Sequence, residues 1–238
     1  MLTPRQLFGL TNSHTVLIAG EADTVRLVPR AAEAYLYMQD AAAQAGISMH
    51  IASAFRSFER QRLIWNRKFQ GESPLYNSHG ELLDQQQLAV GEKVAAILTW
   101  SALPGASRHH WGTDFDVYDP TAFADGQRQL QLIPAEYEPD GPCYELHQWL
   151  LQHAHDFGFF FPYARYQGGV AAEPWHLSYA PLATTYQTAL TVETLENLLS
   201  SQDIAGLAYI LEQLPEIKQR YIDCICNPER TTSDTWFG

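Results

Sequence analysis

The sequence predicts an α+β fold, in which amphipathic helices alternate with a few short strands. Apolar residues recur every three or four positions between Pro29 and Gly46, as they do along one face of a helix. Apolar residues then alternate with their neighbours over residues 47–52, and again from Thr113 to Tyr118, which is typical of half-buried strands. At 238 residues, the chain is long enough for one full domain, or for one domain with an appendage.

The other elements follow from caps, breakers and apolar periodicity. Helices are expected at about 58–69, 90–101 and 144–156, the first of them capped by Ser57. The turn-rich stretches 70–87 and 120–143 predict long loops, and we expect the first to rim the functional site. The apolar run Phe157–Tyr163 predicts a strand. Beyond Pro181 the composition shifts to short helices, so we predict a main domain, residues 1–182, and a helical C-terminal extension, residues 183–238.

Composition narrows the class of protein. A hydrophobic content of 46% predicts a packed core, and a formal net charge of −12 argues against nucleic acids and anionic membranes as partners. No apolar run approaches the ~18 residues that a membrane span needs. Three cysteines, at positions 143, 224 and 226, do not make a disulfide scaffold. Because no signal peptide is recognisable, the expected location is the cytoplasm, with the periplasm reached only by another export route.

Two separated segments offer ligands for a metal ion. His109 and Asp116 lie seven positions apart, with a glycine between them, and His176 follows far along the chain. Two imidazoles and one carboxylate suit a catalytic zinc, which keeps three protein ligands and one open position. The strand pattern points Asp116 to the face opposite Phe115, towards a cleft. Glu173, three residues before His176, is the candidate general base, so the sequence predicts one Zn²⁺ per chain and a zinc peptidase.

Other charged residues are weighed against this site. Arg56 follows a predicted strand and can stabilise an oxyanion, although a surface salt bridge is the usual role of an arginine at such a point. His50 is predicted to be an exposed strand residue, and His153 to lie in the core or at its boundary. His147 and His155 are predicted to be solvated helix positions.

The quoted residues resemble the signature of a known family, the D-alanyl-D-alanine carboxypeptidases of the VanY type. The matching motifs are Ser107-x-His109-x-x-Gly112-x-Asp114-x-Asp116, then Glu173-x-x-His176, and upstream Ser53-Ala54-Phe55-Arg56-Ser57-x-x-x-Gln61. The resemblance spans roughly residues 25 to 180. It extends to a wider group of zinc peptidases that includes lysostaphin-like enzymes and the hedgehog signalling domain.

The resemblance implies a small central antiparallel sheet flanked by helices, as in the hedgehog/DD-peptidase fold. It also implies that the two histidines and Asp116 hold zinc, that Glu173 is the base and that Arg56 steadies substrate and transition state. Ser107 and Gln61 would bind substrate. Apart from the resemblance, Trp175, next to His176, is a candidate wall of the cleft. Relatives cut peptide bonds next to D-amino acids, so the implied partner is a peptidoglycan stem peptide or muropeptide.

Some readings stay open at this point. The family usually has alanine where Asp114 stands, and this extra carboxylate would act beside the zinc or bind a substrate amine. The bond that is cut can be D,D or L,D, and terminal or internal. Two alternatives to the peptidase are a non-catalytic zinc-containing binding module of the same fold and a non-haem iron(II) oxygenase, which also uses two histidines and one carboxylate.

Overall fold

The computed structural model describes residues 1–228, so the last ten residues of the predicted extension lie outside the described residues. The helices are α1 Pro4–Leu7, α2 Pro29–Gln44, α3 Phe58–Gln70, α4 Val90–Trp100, α5 Tyr144–His153, α6 Ala180–Ala189, α7 Val192–Leu199, α8 Leu207–Glu212 and α9 Leu214–Ile217. A π-helical turn, Lys218–Asp223, follows α9. The strands are β1 Val16–Leu17, β2 Arg26–Leu27, β3 His50–Ser53, β4 Asp114–Tyr118, β5 Phe159–Phe160 and β6 His176–Tyr179. The mixed α+β class is therefore confirmed.

A four-stranded antiparallel sheet lies at the centre, with strand order β3-β4-β6-β5. Phe115 and Val117 of β4 lie in the core, as predicted, but the strand is not half-buried, because Asp114 and Asp116 on its other face are buried too. In the register of the sheet, Asp116 on β4 faces His176 on β6. Antiparallel pairing therefore places two candidate metal ligands from distant parts of the sequence side by side.

Most predicted helices are confirmed within a residue or two. Ser57 caps α3 as expected, accepting a hydrogen bond from the backbone N–H of Arg60. The predicted helix 144–156 is α5, followed by a 3₁₀ turn over Ala154–Phe157. The strand predicted across Phe157–Tyr163 is shorter than expected, since only the two residues of β5 pair with β6. Tertiary pairing, rather than apolar content, sets its length.

Two large clusters of buried side chains form most of the core, and a third, small one joins Tyr137, Cys143 and Trp175. One joins α2 and α5 to one face of the sheet and includes Tyr35, Met38, Phe115, Leu146 and Leu177. The other joins α3 and α4 to the C-terminal helices and includes Trp65, Ile97, Leu195, Ile210 and Leu214. The described part of the extension thus packs on the same apolar side chains as the main domain. The predicted domain boundary at residue 182 stays a prediction. The helices on its two sides share one hydrophobic core.

The prediction that His147 is solvated is wrong. Its side chain is 2% exposed, and its Nδ1 lies 3.1 Å from the carbonyl oxygen of Tyr137. The loop 120–143 folds back over α5 and covers the face that helical periodicity alone assigns to solvent. His155 and His153 are half-exposed, and His50 lies beside Glu21, with 3.2 Å between His50 Nδ1 and Glu21 Oε2.

The buried imidazole of His147 makes the stability of the fold sensitive to acid. Burial lowers the pKa of His147 to about 4, while an unfolded histidine titrates near 6.5. As pH falls from about 6.5 to 4, the unfolded chain gains a proton that the folded chain does not. The free energy of unfolding should therefore drop by roughly 2–3 kcal/mol on this account. Urea unfolding of wild type and His147→Gln between pH 7.5 and 4.5 measures this drop. If the free energy of unfolding depended on pH equally in the two proteins, the prediction would be wrong.

Within residues 1–228, no helix is both long enough and apolar enough to cross a membrane.

Candidate active site

The structure brings His109, Asp116 and His176 together at one end of the central sheet. One ligand atom from each residue lies within 4.8 Å of the others, and all three side chains are buried. His109 lies in a 3₁₀ turn just before β4, Asp116 is on β4 and His176 begins β6. This is the grouping that the sequence predicts.

Gly112 makes the turn between the first two ligands possible. Its φ is +69°, in the left-handed region that glycine adopts readily. A Cβ at this position would lie 2.7 Å from Cγ2 of Thr15, so space as well as conformation requires glycine. The turn lets His109 and Asp116 converge although six residues separate them.

Hydrogen bonds orient both imidazoles for a metal. His109 Nδ1 lies 2.9 Å from the carbonyl oxygen of Ala54, and because a carbonyl only accepts, Nδ1 carries the proton and Nε2 is left with its lone pair. His176 Nε2 lies 3.0 Å from Asp114 Oδ1, so Nε2–H donates a hydrogen bond to this carboxylate and Nδ1 is left for a metal. Burial lowers the pKa of His109 to about 3, which keeps the ring neutral, as a ligand must be.

The donor set fits a divalent cation. Asp116 Oδ1 is buried and has no hydrogen-bond partner in the described chain, a costly state for a carboxylate unless a cation binds it. His176 Nδ1 lies 3.3 Å from this oxygen and 3.3 Å from Glu173 Oε2. Burial opposes charge on His176, yet Asp114, Asp116 and Glu173 together raise its pKa well above the usual range. Arg108 already balances the charge of Asp114, so the carboxylates left beside the imidazoles are Asp116 and Glu173, and Zn²⁺ could bind there through two nitrogens and one oxygen.

Glu173 and Arg56 flank the three metal-site residues without belonging to them. Glu173 lies just before β6, its side chain is 12% exposed, and burial raises the pKa of its carboxyl group. Nη2 of Arg56 lies 3.9 Å from Asp116 Oδ2 and donates a hydrogen bond to Ser53 Oγ, while Nη1 donates one to Gln61 Oε1. A carboxylate near the metal and a fixed guanidinium beside it are the parts that peptide hydrolysis needs.

A cavity of about 900 Å³ opens beside these residues. Two residues expected to contact substrate, Ser107 and Trp175, line it. Ser107 Oγ is buried and has no hydrogen-bond partner in the described chain, which leaves it available to a ligand in the cavity. From the predicted rim loop 70–87, Tyr76, Ser78 and His79 also line the cavity.

Two residues expected to bind substrate are placed elsewhere. Asp114 is fully buried behind His176, and Arg108, His176 and Thr113 occupy its carboxylate oxygens. Gln61 is also fully buried, and its amide donates to the carbonyl oxygen of Ala102 while accepting from Arg56. Neither side chain is among those that line the cavity. Asp114 takes the first alternative given for it, a place beside the metal site, where it supports His176, and Gln61 supports Arg56.

Sequence reasoning overlooked several residues of the site. Arg108 lies inside the motif, and the extra carboxylate of Asp114 was the signal for a buried cation beside it. Lys68 lines the cavity seven positions after Gln61, a spacing that puts both on one face of α3. Tyr221 and Ile222, from the extension, line the cavity as well, and sequence pattern gave no signal for them.

The fold and the site define the class of metal-dependent hydrolases: two histidines and an aspartate are placed so that they could hold an ion, and a separate glutamate lies beside them. Residues 24–182 match the family model described as VanY: D-alanyl-D-alanine carboxypeptidase. This match covers more than half of the chain, so the protein belongs to that family.

Individual relatives agree with the family assignment. An uncharacterised protein of Haemophilus influenzae is 37% identical over 126 residues, which are 52% of this chain and 95% of the relative. A D-alanyl-D-alanine carboxypeptidase of Enterococcus faecalis is 26% identical over 187 residues, which are 75% of this chain and 57% of the relative.

Two solved structures share the fold. VanYB in complex with D-alanine-D-alanine has a TM-score of 0.50 at 23% identity, over 82% of this chain and 94% of that one. The LdcB LD-carboxypeptidase also has a TM-score of 0.50 at 23% identity, over 77% of this chain and 78% of that one. The predicted architecture of this chain, an antiparallel sheet flanked by helices, is therefore confirmed, and these two structures share it.

Proposed function

We propose that this protein is a zinc-dependent carboxypeptidase that removes the terminal D-amino acid from peptidoglycan stem peptides. The observation that carries the proposal is the placement of Glu173 3.3 Å from His176, in a cavity that also holds Arg56 and the buried Asp116. A structural zinc site needs neither a free carboxylate nor a guanidinium, which argues against a non-catalytic binding module.

The residues of this chain divide the chemistry between them. Zinc, when bound, supplies a Lewis acid and lowers the pKa of water to about 7. Glu173 accepts the proton of the attacking water and returns it to the leaving amine, as the carbon–oxygen bond forms and the carbon–nitrogen bond breaks. Arg56, held by Ser53 and Gln61, donates to the oxyanion that develops on the scissile carbonyl. Ser107 and Trp175 contact the peptide from the cavity wall.

The substrate class follows from the family. Members are D-alanyl-D-alanine carboxypeptidases, and the VanYB structure holds D-alanine-D-alanine itself. The cytoplasmic location predicted from the sequence remains a prediction, and substrates in that compartment would be recycled or precursor muropeptides.

Incubation of the zinc-loaded protein with defined tetrapeptide and pentapeptide stems tests the proposal, with products read by mass spectrometry. We expect the pentapeptide to lose one D-alanine, a chelator to abolish this, and added Zn²⁺ to restore it. Loss of D-alanine from the tetrapeptide would instead identify L,D-cleavage, and internal fragments would identify an endopeptidase. A protein with one zinc per chain that cleaves none of these peptides would contradict the proposal, and stoichiometric iron would contradict zinc as its metal.

A further inference from the structure

Lys68 is a cation in the cavity that forms no ion pair with any of the residues that the structure describes. It lies in the last turn of α3 and lines the cavity together with Arg56 and Glu173. Its Nζ donates a hydrogen bond to Oγ of Ser101, the residue that follows α4. Among residues 1–228, no carboxylate lies within ion-pair distance of this ammonium group.

The other two lysines of the chain lie outside the cavity. Lys93 lies over the ring of Phe69, 5.8 Å from its centroid, and Lys218 pairs with Asp223 at 2.7 Å. Lys68 is half-buried, and burial lowers its pKa to about 8, with Glu173 opposing this effect and Arg56 adding to it. At neutral pH most of the population still carries the charge. A partly desolvated cation with only a hydroxyl partner is well suited to an anionic ligand.

Lys68 lies on the same face of α3 as Gln61, the residue that helps to fix Arg56. Gln61, which accepts from Arg56, lies seven residues earlier, and two turns of an α-helix rise roughly 10 Å. Because helical side chains lean towards the N-terminus, the Lys68 side chain extends back along α3 towards Gln61. In a carboxypeptidase substrate, the terminal carboxylate lies one residue beyond the scissile carbonyl that Arg56 contacts, a few ångströms away.

We propose that Lys68, supported by Ser101, binds the C-terminal carboxylate of the substrate and so directs this enzyme to free chain ends. The inference rests on the proposed function, because it takes the scissile bond to lie at Glu173 and Arg56. It adds a specificity-determining residue outside the sequence motifs of the site. It also favours terminal over internal cleavage, since an internal peptide bond presents no carboxylate at this position.

Lys68→Met tests the proposal by removing the charge while keeping the length of the side chain. The substrates are a pentapeptide stem with a free C-terminus and the same peptide with a C-terminal amide. We expect KM for the free acid to rise about 10- to 100-fold with little change in kcat, as for loss of one charge-assisted hydrogen bond. The amide should be a poor substrate of the wild type and should be unaffected by the change.

Matched variants separate this role from a general effect. Lys93→Met removes a lysine outside the cavity and should leave both substrates unchanged, while Lys68→Arg keeps the charge and should retain most of the preference for the acid. Thermal unfolding monitors folding. Equal losses on acid and amide in Lys68→Met, or a wild type that cleaves both equally well, would overturn the proposal and leave the proposed peptidase function standing.

Binding provides a readout that does not need turnover. Calorimetry on the zinc-loaded protein compares the dipeptide D-alanyl-D-alanine with its C-terminal amide, in wild type and in Lys68→Met. We expect the acid to bind more tightly to the wild type and the difference to vanish in the variant. If the protein binds the acid in this way but cleaves no stem peptide, the proposed function fails while the carboxylate site stands. Equal affinity of the wild type for acid and amide would overturn the site.

Discussion

Replacing Glu173 by glutamine is expected to lower kcat by about 10²- to 10⁴-fold while the protein keeps one zinc per chain. The amide has nearly the shape of the carboxylate but cannot take a proton from water and pass it to the leaving amine. Glu173 is 3.3 Å from His176 and is not one of the three metal-site residues, so its replacement leaves the proposed ligands in place. Steady-state cleavage of a pentapeptide stem and metal analysis of the purified variant measure the two halves of the prediction.

Glu138→Gln is the matched control, because Glu138 also lines the cavity but is exposed. It should keep wild-type turnover. If Glu173→Gln retained wild-type kcat, Glu173 would not be the base. If it lost zinc along with activity, Glu173 would belong to the metal site instead. Each outcome is distinct from a failure of the whole fold, which circular dichroism would show.

The parts of the site that sequence could predict are those that depend on local periodicity. The alternation along residues 113–118 fixes which way Asp116 points, and the glycine at position 112 marks the turn before it. The third ligand, His176, was found by its chemistry and its distance from Glu173, not by any pattern that joins β6 to β4. The register that sets it opposite Asp116 depends on the packing of the whole sheet.

The prediction for His147 was wrong, and the expected substrate contacts of Gln61 and Asp114 stay predictions; all three are polar residues whose partners are distant in sequence. Gln61 and Asp114 lie in motifs that suggest contact with substrate, yet their hydrogen-bond partners include Ala102 and His176, 41 and 62 positions away. His147 was assigned to solvent because its cover is the loop around Tyr137, whose path no helical pattern describes. Sequence spacing gives the face on which a side chain lies, but not what the rest of the chain places there.

Asp114 is the position at which this chain departs from the pattern that it resembles, and the structure ties the departure to Arg108. Arg108 is 4% exposed, and its Nε donates to Asp114 Oδ1 at 2.8 Å. Its other nitrogens donate to Ser178 Oγ and to Gln187 Oε1, the latter in the extension. Arg108 lowers the pKa of Asp114 against the effect of burial, which raises it. The carboxylate of Asp114 thus neutralises a buried arginine. Its Oδ1 also accepts a hydrogen bond from Nε2–H of His176.

Asp114→Ala should therefore lower the free energy of unfolding by about 3–5 kcal/mol, because it leaves Arg108 buried without a counter-charge. Loss of the hydrogen bond to His176 should also weaken zinc binding by about 10- to 100-fold. Urea unfolding and competition with a chelator measure these two effects. The exposed Asp40, replaced by alanine, is the control and should change neither quantity.

The double variant Asp114→Ala, Arg108→Leu decides between two explanations of the lower free energy of unfolding in Asp114→Ala. If Asp114 serves chiefly to balance Arg108, removal of both charges should restore most of the unfolding free energy, since a buried ion pair can be replaced by apolar groups at little cost. Zinc affinity should stay low, because His176 still lacks its acceptor. A double variant as unstable as Asp114→Ala would show that the carboxylate stabilises the fold through His176 and Thr113 rather than through the arginine. Recovery of stability without recovery of zinc affinity would assign Asp114 both tasks, and would explain why this chain carries an aspartate beside its metal site without offering it to substrate.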